Sequence, residues 1–92
     1  MELSEDYQRA LSAVGVATLT ALGGMEGAAR FLHPPEIPRL REWLRPFRED
    51  LGRAAGAYRE MVPPPALTTF QQSFAEGVAL TERALDLFLT TS

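Results

Sequence analysis

From Ile37 onward, apolar or small residues fall at Leu40, Leu44, Phe47, Leu51, Ala54, Tyr58 and Met61, always three or four positions apart. That spacing marks one face of an α-helix and predicts a helix over 35–61. The same steps recur from Leu67 through Phe70, Phe74, Gly77, Thr81, Ala84 and Phe88, with Val78, Leu80, Leu85, Leu87 and Leu89 on the flanks. A further helix is predicted over 65–90. Upstream, Tyr7, Leu11, Val14, Thr18, Leu22, Met25, Ala29 and Leu32 keep the same rhythm. They follow Ser4, whose hydroxyl can accept from the first turn, and Glu5 and Asp6, which suit the positive end of a helix dipole. A first helix over 4–32 is predicted.

The difficulty in that first helix is Gly23-Gly24, which costs about 2 kcal/mol inside a helix relative to two alanines and resembles a C-terminal cap. The apolar steps stay in phase across the pair, which favours one continuous helix; a break there would give four helices in place of three. Pro35 and Pro65 are expected at the first helical position, where a missing N–H has no intrahelical partner. A Pro-x-x-Pro ligand reading exists at Pro35 and Pro38, but such a ligand needs an extended segment and this one runs into a helix. Residues 34–58 and 64–88 superpose in pattern with an offset of thirty, as antiparallel helices of similar length do without duplication. Pro46 falls off the apolar seam and is expected on the outer side of its helix.

The whole chain, residues 1–92, therefore reads as a single all-α domain, an antiparallel up-down-up bundle of three long helices. All nine basic residues are arginine, and lysine, asparagine and cysteine are absent, which points to GC-rich bacterial coding. Without cysteine, disulfides, thiolate zinc sites and cysteine nucleophiles are excluded together. Twelve acids against nine bases give a net charge of -3, a poor match to sequence-independent binding of nucleic acid. The acidic start MELSEDYQR is unlike a signal peptide, so a cytoplasmic location is expected. The uncharged run Ala10–Met25 is rich in Ala, Thr and Gly and falls short of the roughly 20 apolar residues of a membrane span, so no membrane association is expected.

No constellation of catalytic residues, metal ligands or cofactor motif emerges, and the chain reads as a non-enzyme without cofactor. The single histidine, His33, is placed to bond the last carbonyls of the first helix. Arg41, Arg45 and Arg48 share a helix face and could attract an anion, but Glu42, Glu49 and Asp50 interrupt them, so pairs such as Arg45 with Glu49 or Glu49 with Arg53 are expected at a solvated surface. Glu82 and Asp86 are assigned to an outer face of the third helix.

The most suggestive feature is apolar surface in excess of what three helices enclose. The small-residue stripe containing Ala17, Ala21 and Gly24, and the nearly all-round apolar end of the third helix at Leu80, Leu85, Leu87 and Leu89, are candidates for self-association. A homodimeric interaction or structural module, whose binding of an unknown protein partner stays open, is the favoured reading. The alternative is a bundle that binds a small molecule in a pocket lined by Trp43, Phe47, Tyr58, Phe70 and Phe74.

Overall fold

The computed structural model describes residues 3–90. It contains three α-helices of 23 residues each: α1 (Glu5–Gly27), α2 (Ile37–Arg59) and α3 (Thr68–Thr90). A 3-10 turn, Ala28–Phe31, extends α1, and another, Pro65–Leu67, leads into α3. The beginning of α1 meets the end of α2 and the beginning of α3, so the helices run up, down and up, as the sequence pattern implies. α2 packs extensively on both neighbours, whereas α1 and α3 touch one another less.

Each boundary has a local cause. The Ser4 hydroxyl accepts the Tyr7 N–H at 3.1 Å, satisfying one of the orphan donors of the first turn, and Glu5 and Asp6 follow it. At the other end Pro34 and Pro35 lack N–H groups and stop the chain from continuing as a helix. The 3-10 turn absorbs the last turn, and the Phe31 carbonyl accepts from Glu36 N–H at 2.7 Å as the chain reverses past a cis His33–Pro34 bond. Pro35 is not at the start of α2, contrary to the sequence expectation: it pairs back to Leu32 in an isolated bridge, and Pro38 takes the first-turn position instead. Pro65 does open the 3-10 turn before α3. Pro46 lies within α2 and is exposed.

α1 passes through Gly23-Gly24 without a break. The reason is visible on α2. Trp43 Nε1 donates to the Gly24 carbonyl at 2.8 Å, and a Cβ placed on Gly24 would lie only 2.7 Å from the Phe47 ring. Gly27 is similarly close to the Trp43 indole, at 3.1 Å. The glycines let two aromatic side chains lie directly on the α1 backbone, and their packing offsets the helix-propensity cost.

The core runs along this α1–α2 seam and continues to α3. Val14 and Ala21 of α1 and Ala28 of the 3-10 turn pack with Leu40, Leu44, Leu51, Ala55 and Tyr58 of α2 and with Val78 and Leu85 of α3. On α1 and its 3-10 extension the buried set is largely the small-residue stripe, including Ala10, Ala21, Gly24 and Ala28, and the expected seam members Leu22 and Leu32 are exposed. On α3 the phase is also shifted: Val78, Thr81, Glu82 and Leu85 are buried, while Phe70 and Gly77 of the expected seam face outward.

Gly23 and Gly24 provide a matched pair of substitutions. A Cβ at Gly23 meets nothing within 4 Å, so Gly23→Ala should raise the unfolding free energy by about 1 kcal/mol through helix propensity alone. Gly24→Ala should lower it by about 1–3 kcal/mol, because the Phe47 ring must be driven from its seat. Urea unfolding followed by far-UV circular dichroism separates the two; a stabilised Gly24→Ala would show that the ring yields freely.

Candidate functional site

Two polar clusters tie the helices together. At one end the Tyr7 hydroxyl donates to Gln71 Oε1 at 2.5 Å, and Gln71 Nε2 donates to the Met61 carbonyl at 3.3 Å. Tyr58 then donates to the Tyr7 oxygen at 3.2 Å, leaving both phenols buried and bonded. Burial, followed by this hydrogen bond, pushes the Tyr58 phenol above the usual tyrosine range.

The second cluster joins α2 to α3. Arg48 reaches Glu82 Oε2 at 3.0 Å and Asp86 Oδ1 at 2.7 Å, and Arg59 holds the other oxygen of Glu82. Glu82 and Asp86 are therefore not an outer solvated pair; Glu82 is buried between two guanidinium groups. The hydrogen bond to Asp86 raises the Arg48 pKa further above its ordinary value, against the lowering effect of desolvation. Both oxygens of Glu82 are held by arginines, and the cluster acts as an interhelical clip.

The other expected sites do not assemble into chemistry. Arg48 turns toward α3 while Arg45 stays exposed on α2, and Arg53 pairs with Asp50 in place of Glu49. His33 is exposed, and the Gly27 carbonyl is bonded by Arg30 Nε at 3.1 Å, the role expected of the histidine. Arg30 also lies over the Trp43 ring, 5.1 Å from its centroid. Among the described residues no group of three His, Cys, Asp or Glu side chains is placed to hold a metal.

The five aromatics proposed to line a pocket divide between opposite ends of α2. Trp43 packs with Phe31 and Phe47, whereas Tyr58 packs with Tyr7 and Phe74, and Phe74 stacks on Phe70. Trp43 and Tyr58 are about 22 Å apart along the helix axis at 1.5 Å per residue. They fill interhelical contacts instead of surrounding one cavity. Of these aromatics only Phe47 borders the open groove of about 270 Å³ between α1 and α2, whose other walls are Ala13, Val16, Ala17, Thr20, Asp50 and Ala54.

The candidate self-association residues separate by exposure. Ala21, Gly24 and Leu85 are buried within the chain and so present no surface to a second copy; Leu89 is half-buried against the core, and Ala17 borders the α1–α2 groove. Leu80 and Leu87 are 60% and 70% exposed, and on α1 Leu19 is 71% exposed with Leu22 beside it at 48%. Leu19 and Leu22 lie on the flank of α1 opposite Ala13 and Gly24, which meet α2, and Leu80 and Leu87 lie on α3 away from Glu82 and Asp86. Counting along the two parallel helices from the Tyr7–Gln71 bond, Leu19 and Leu22 come level with the stretch from Arg83 to Leu87. Both pairs leave apolar surface exposed, one on α1 and one on α3.

The surface on α1 is free of charge, because no ionisable residue occurs between Arg9 and Glu26. An 18-residue window within Glu5–Phe31 has a mean hydropathy of 1.2, so by length and composition alone α1 with its 3-10 extension matches a membrane-crossing helix, which the shorter run Ala10–Met25 does not suggest. Leu19 went unnoticed in the sequence because it stands outside the seam and beside small residues. A helical-wheel count of uncharged outward positions would have found it.

The raised Tyr58 pKa has a definite sign. An unfolded tyrosine loses its proton near pH 10, whereas folded Tyr58 keeps it to higher pH. Above about pH 10 the unfolded state therefore binds fewer protons, and stability falls as pH rises; below that pH the contribution is complete. Tyr58→Phe should remove part of this alkaline loss and cost about 1 kcal/mol at neutral pH. Thermal melts of both proteins at about pH 8 and about pH 11 check it; an identical alkaline drop would overturn the assignment.

Comparison of the chain with protein-family models, with curated proteins and with solved structures finds no match.

Proposed function

We propose that the protein is a non-enzymatic interaction module that self-associates through the apolar surface exposed on α1 and α3. The observation that carries this reading is the exposure of Leu19 on α1 and of Leu80 and Leu87 on α3, in a bundle whose Arg48, Arg59 and Glu82 are engaged in an internal tie.

The shape of the chain supports it. The radius of gyration is 15.0 Å, against about 12 Å for a compact domain of this length. The accessible surface is 6056 Å², against about 5,300 Å² from the surface–mass scaling for 10.1 kDa. An elongated three-helix rod exposes more surface than a globule of equal mass, and here a share of that surface is leucine. Covering such a patch with a second copy removes it from water on both chains at once.

Sedimentation equilibrium tests the proposal. The wild-type chain should run at twice its 10.1-kDa mass at micromolar concentration. Burying one leucine contributes about 1.5–3 kcal/mol, so Leu80→Glu and Leu87→Glu should each raise the dimer Kd by about 10²-fold or more with helicity retained. Val62→Glu, at an 87% exposed position between α2 and α3, should leave assembly unchanged. A wild-type monomer at these concentrations, or flotation of the chain with phospholipid vesicles in place of dimerisation, would overturn the reading.

A further inference from the structure

Resting on the self-association reading, the geometry points to a specific arrangement: two copies pair through α3, antiparallel, about a two-fold axis passing near Val78 and Ala79. One side of α3 carries exposed Phe70, Ser73, Gly77, Leu80 and Leu87 with half-buried Ala84 among them, spaced alternately by three and four residues. This is the a/d spacing of a helix pair, and it lies outside the chain's own core. Phe70, Leu80 and Leu87 are 44%, 60% and 70% exposed. A Cβ on Gly77 would meet nothing within 4 Å inside its own chain, so the close approach it permits is available to another helix.

Charge and volume select the direction. One edge of the seam carries Glu76 and Arg83, which form none of the ion pairs among the described residues. In a parallel pair this edge would face the opposite edge of the second helix, where Thr81 sits in the core, and the charges would find no complement. In an antiparallel pair like edges meet, and Glu76 comes opposite the partner's Arg83 while Arg83 comes opposite the partner's Glu76. The same register sets Gly77 against the partner's Leu80, Ser73 against the partner's Ala84, and Phe70 against the partner's Leu87. The central layers are small, so the backbones approach closely, and the large residues close both ends. A parallel register would oppose Gly77 to its own copy and Leu80 to its own copy, alternating a void with a crowded layer.

The surrounding structure leaves room for this pairing. Thr81 and Phe88, on the other edge of the seam, are occupied in their own core. Opposite charges at symmetric edges form twice in a two-fold dimer, so any change to one of them is felt twice.

Charge reversal and cross-linking test the arrangement together. Glu76→Arg and Arg83→Glu should each raise the dimer Kd about 5- to 30-fold at low salt, and the double variant should return it to near the wild-type value. The chain has no cysteine, so introduced thiols report cleanly. A mixture of Ser73→Cys and Ala84→Cys chains should cross-link as the mixed pair, while neither variant alone should cross-link with itself. Self-cross-linking of each variant alone would establish the parallel arrangement and overturn the inference. A dimer that forms but neither cross-links nor responds to charge reversal would place the interface elsewhere and overturn this inference while leaving self-association standing. A wild-type monomer would remove both.

Discussion

The fold turns on how closely α2 can approach α1 at Gly24 and Gly27. With no Cβ at either position, the Phe47 and Trp43 rings lie on the α1 backbone, and Trp43 bonds the Gly24 carbonyl. This contact decides several features at once. It keeps α1 continuous through a glycine pair that would otherwise be a weak point, because the rings and the indole hydrogen bond compensate the lost propensity. It fixes the rotation of α1 so that its small residues face α2 and its larger ones, Leu19 and Leu22, are turned away. It also uses the aromatic residues as interhelical packing, so that they do not enclose a ligand cavity.

α3 is held to the same central helix by different means. Glu82 between Arg48 and Arg59, with Asp86 on Arg48, fixes the rotation of α3 much as the glycine contact fixes that of α1. Paired charges of this kind are weak sources of net stability, since desolvation offsets much of the attraction, but an unpaired Glu82 at that depth would be costly, so they are selective about register. Both outer helices are thus oriented toward α2, and neither needs the other to cover its far side. The apolar surface left on α1 and on α3 follows from this division of labour.

Much of this was legible along the chain. The α2 seam from Leu40 to Tyr58, the Ser4 cap and the continuity of α1 follow from spacing and from the chemistry of a helix start. The phase of α3 was not legible, because Glu82 and Asp86 read as markers of solvent when nothing local reveals the arginines that pair with them across the bundle. The apolar steps from Leu67 put Phe70 and Gly77 inside, where they are exposed, and left Val78 and Leu85, which are buried, on the flanks. Likewise Pro35 and Pro38 are equally suited to a helix start, and only the backward pairing of Pro35 with Leu32 decides between them. Leu85 and Ala21, nominated for a surface between copies, sit in the core for the same reason: sequence shows that a residue is apolar, while helix rotation decides whether its own chain or another covers it.

The glycines sharpen the distinction between what the chain does for itself and what it leaves open. Gly24 and Gly27 are each explained by an aromatic ring within the chain. Gly77 stands in the middle of a helix, costs about 1 kcal/mol relative to alanine, and has no neighbour that would object to a methyl group. Free space alone does not single it out, since Gly15, Gly23 and Gly56 have the same freedom. Its place does: it falls in register between Ser73 and Leu80, on the one helix face where exposed leucines recur at heptad spacing and opposite charges flank them. A residue that weakens its own helix while permitting close approach from outside has its compensation in whatever makes that approach, and the flanking Glu76 and Arg83 are arranged so that an inverted copy of the same helix meets the requirement on both sides.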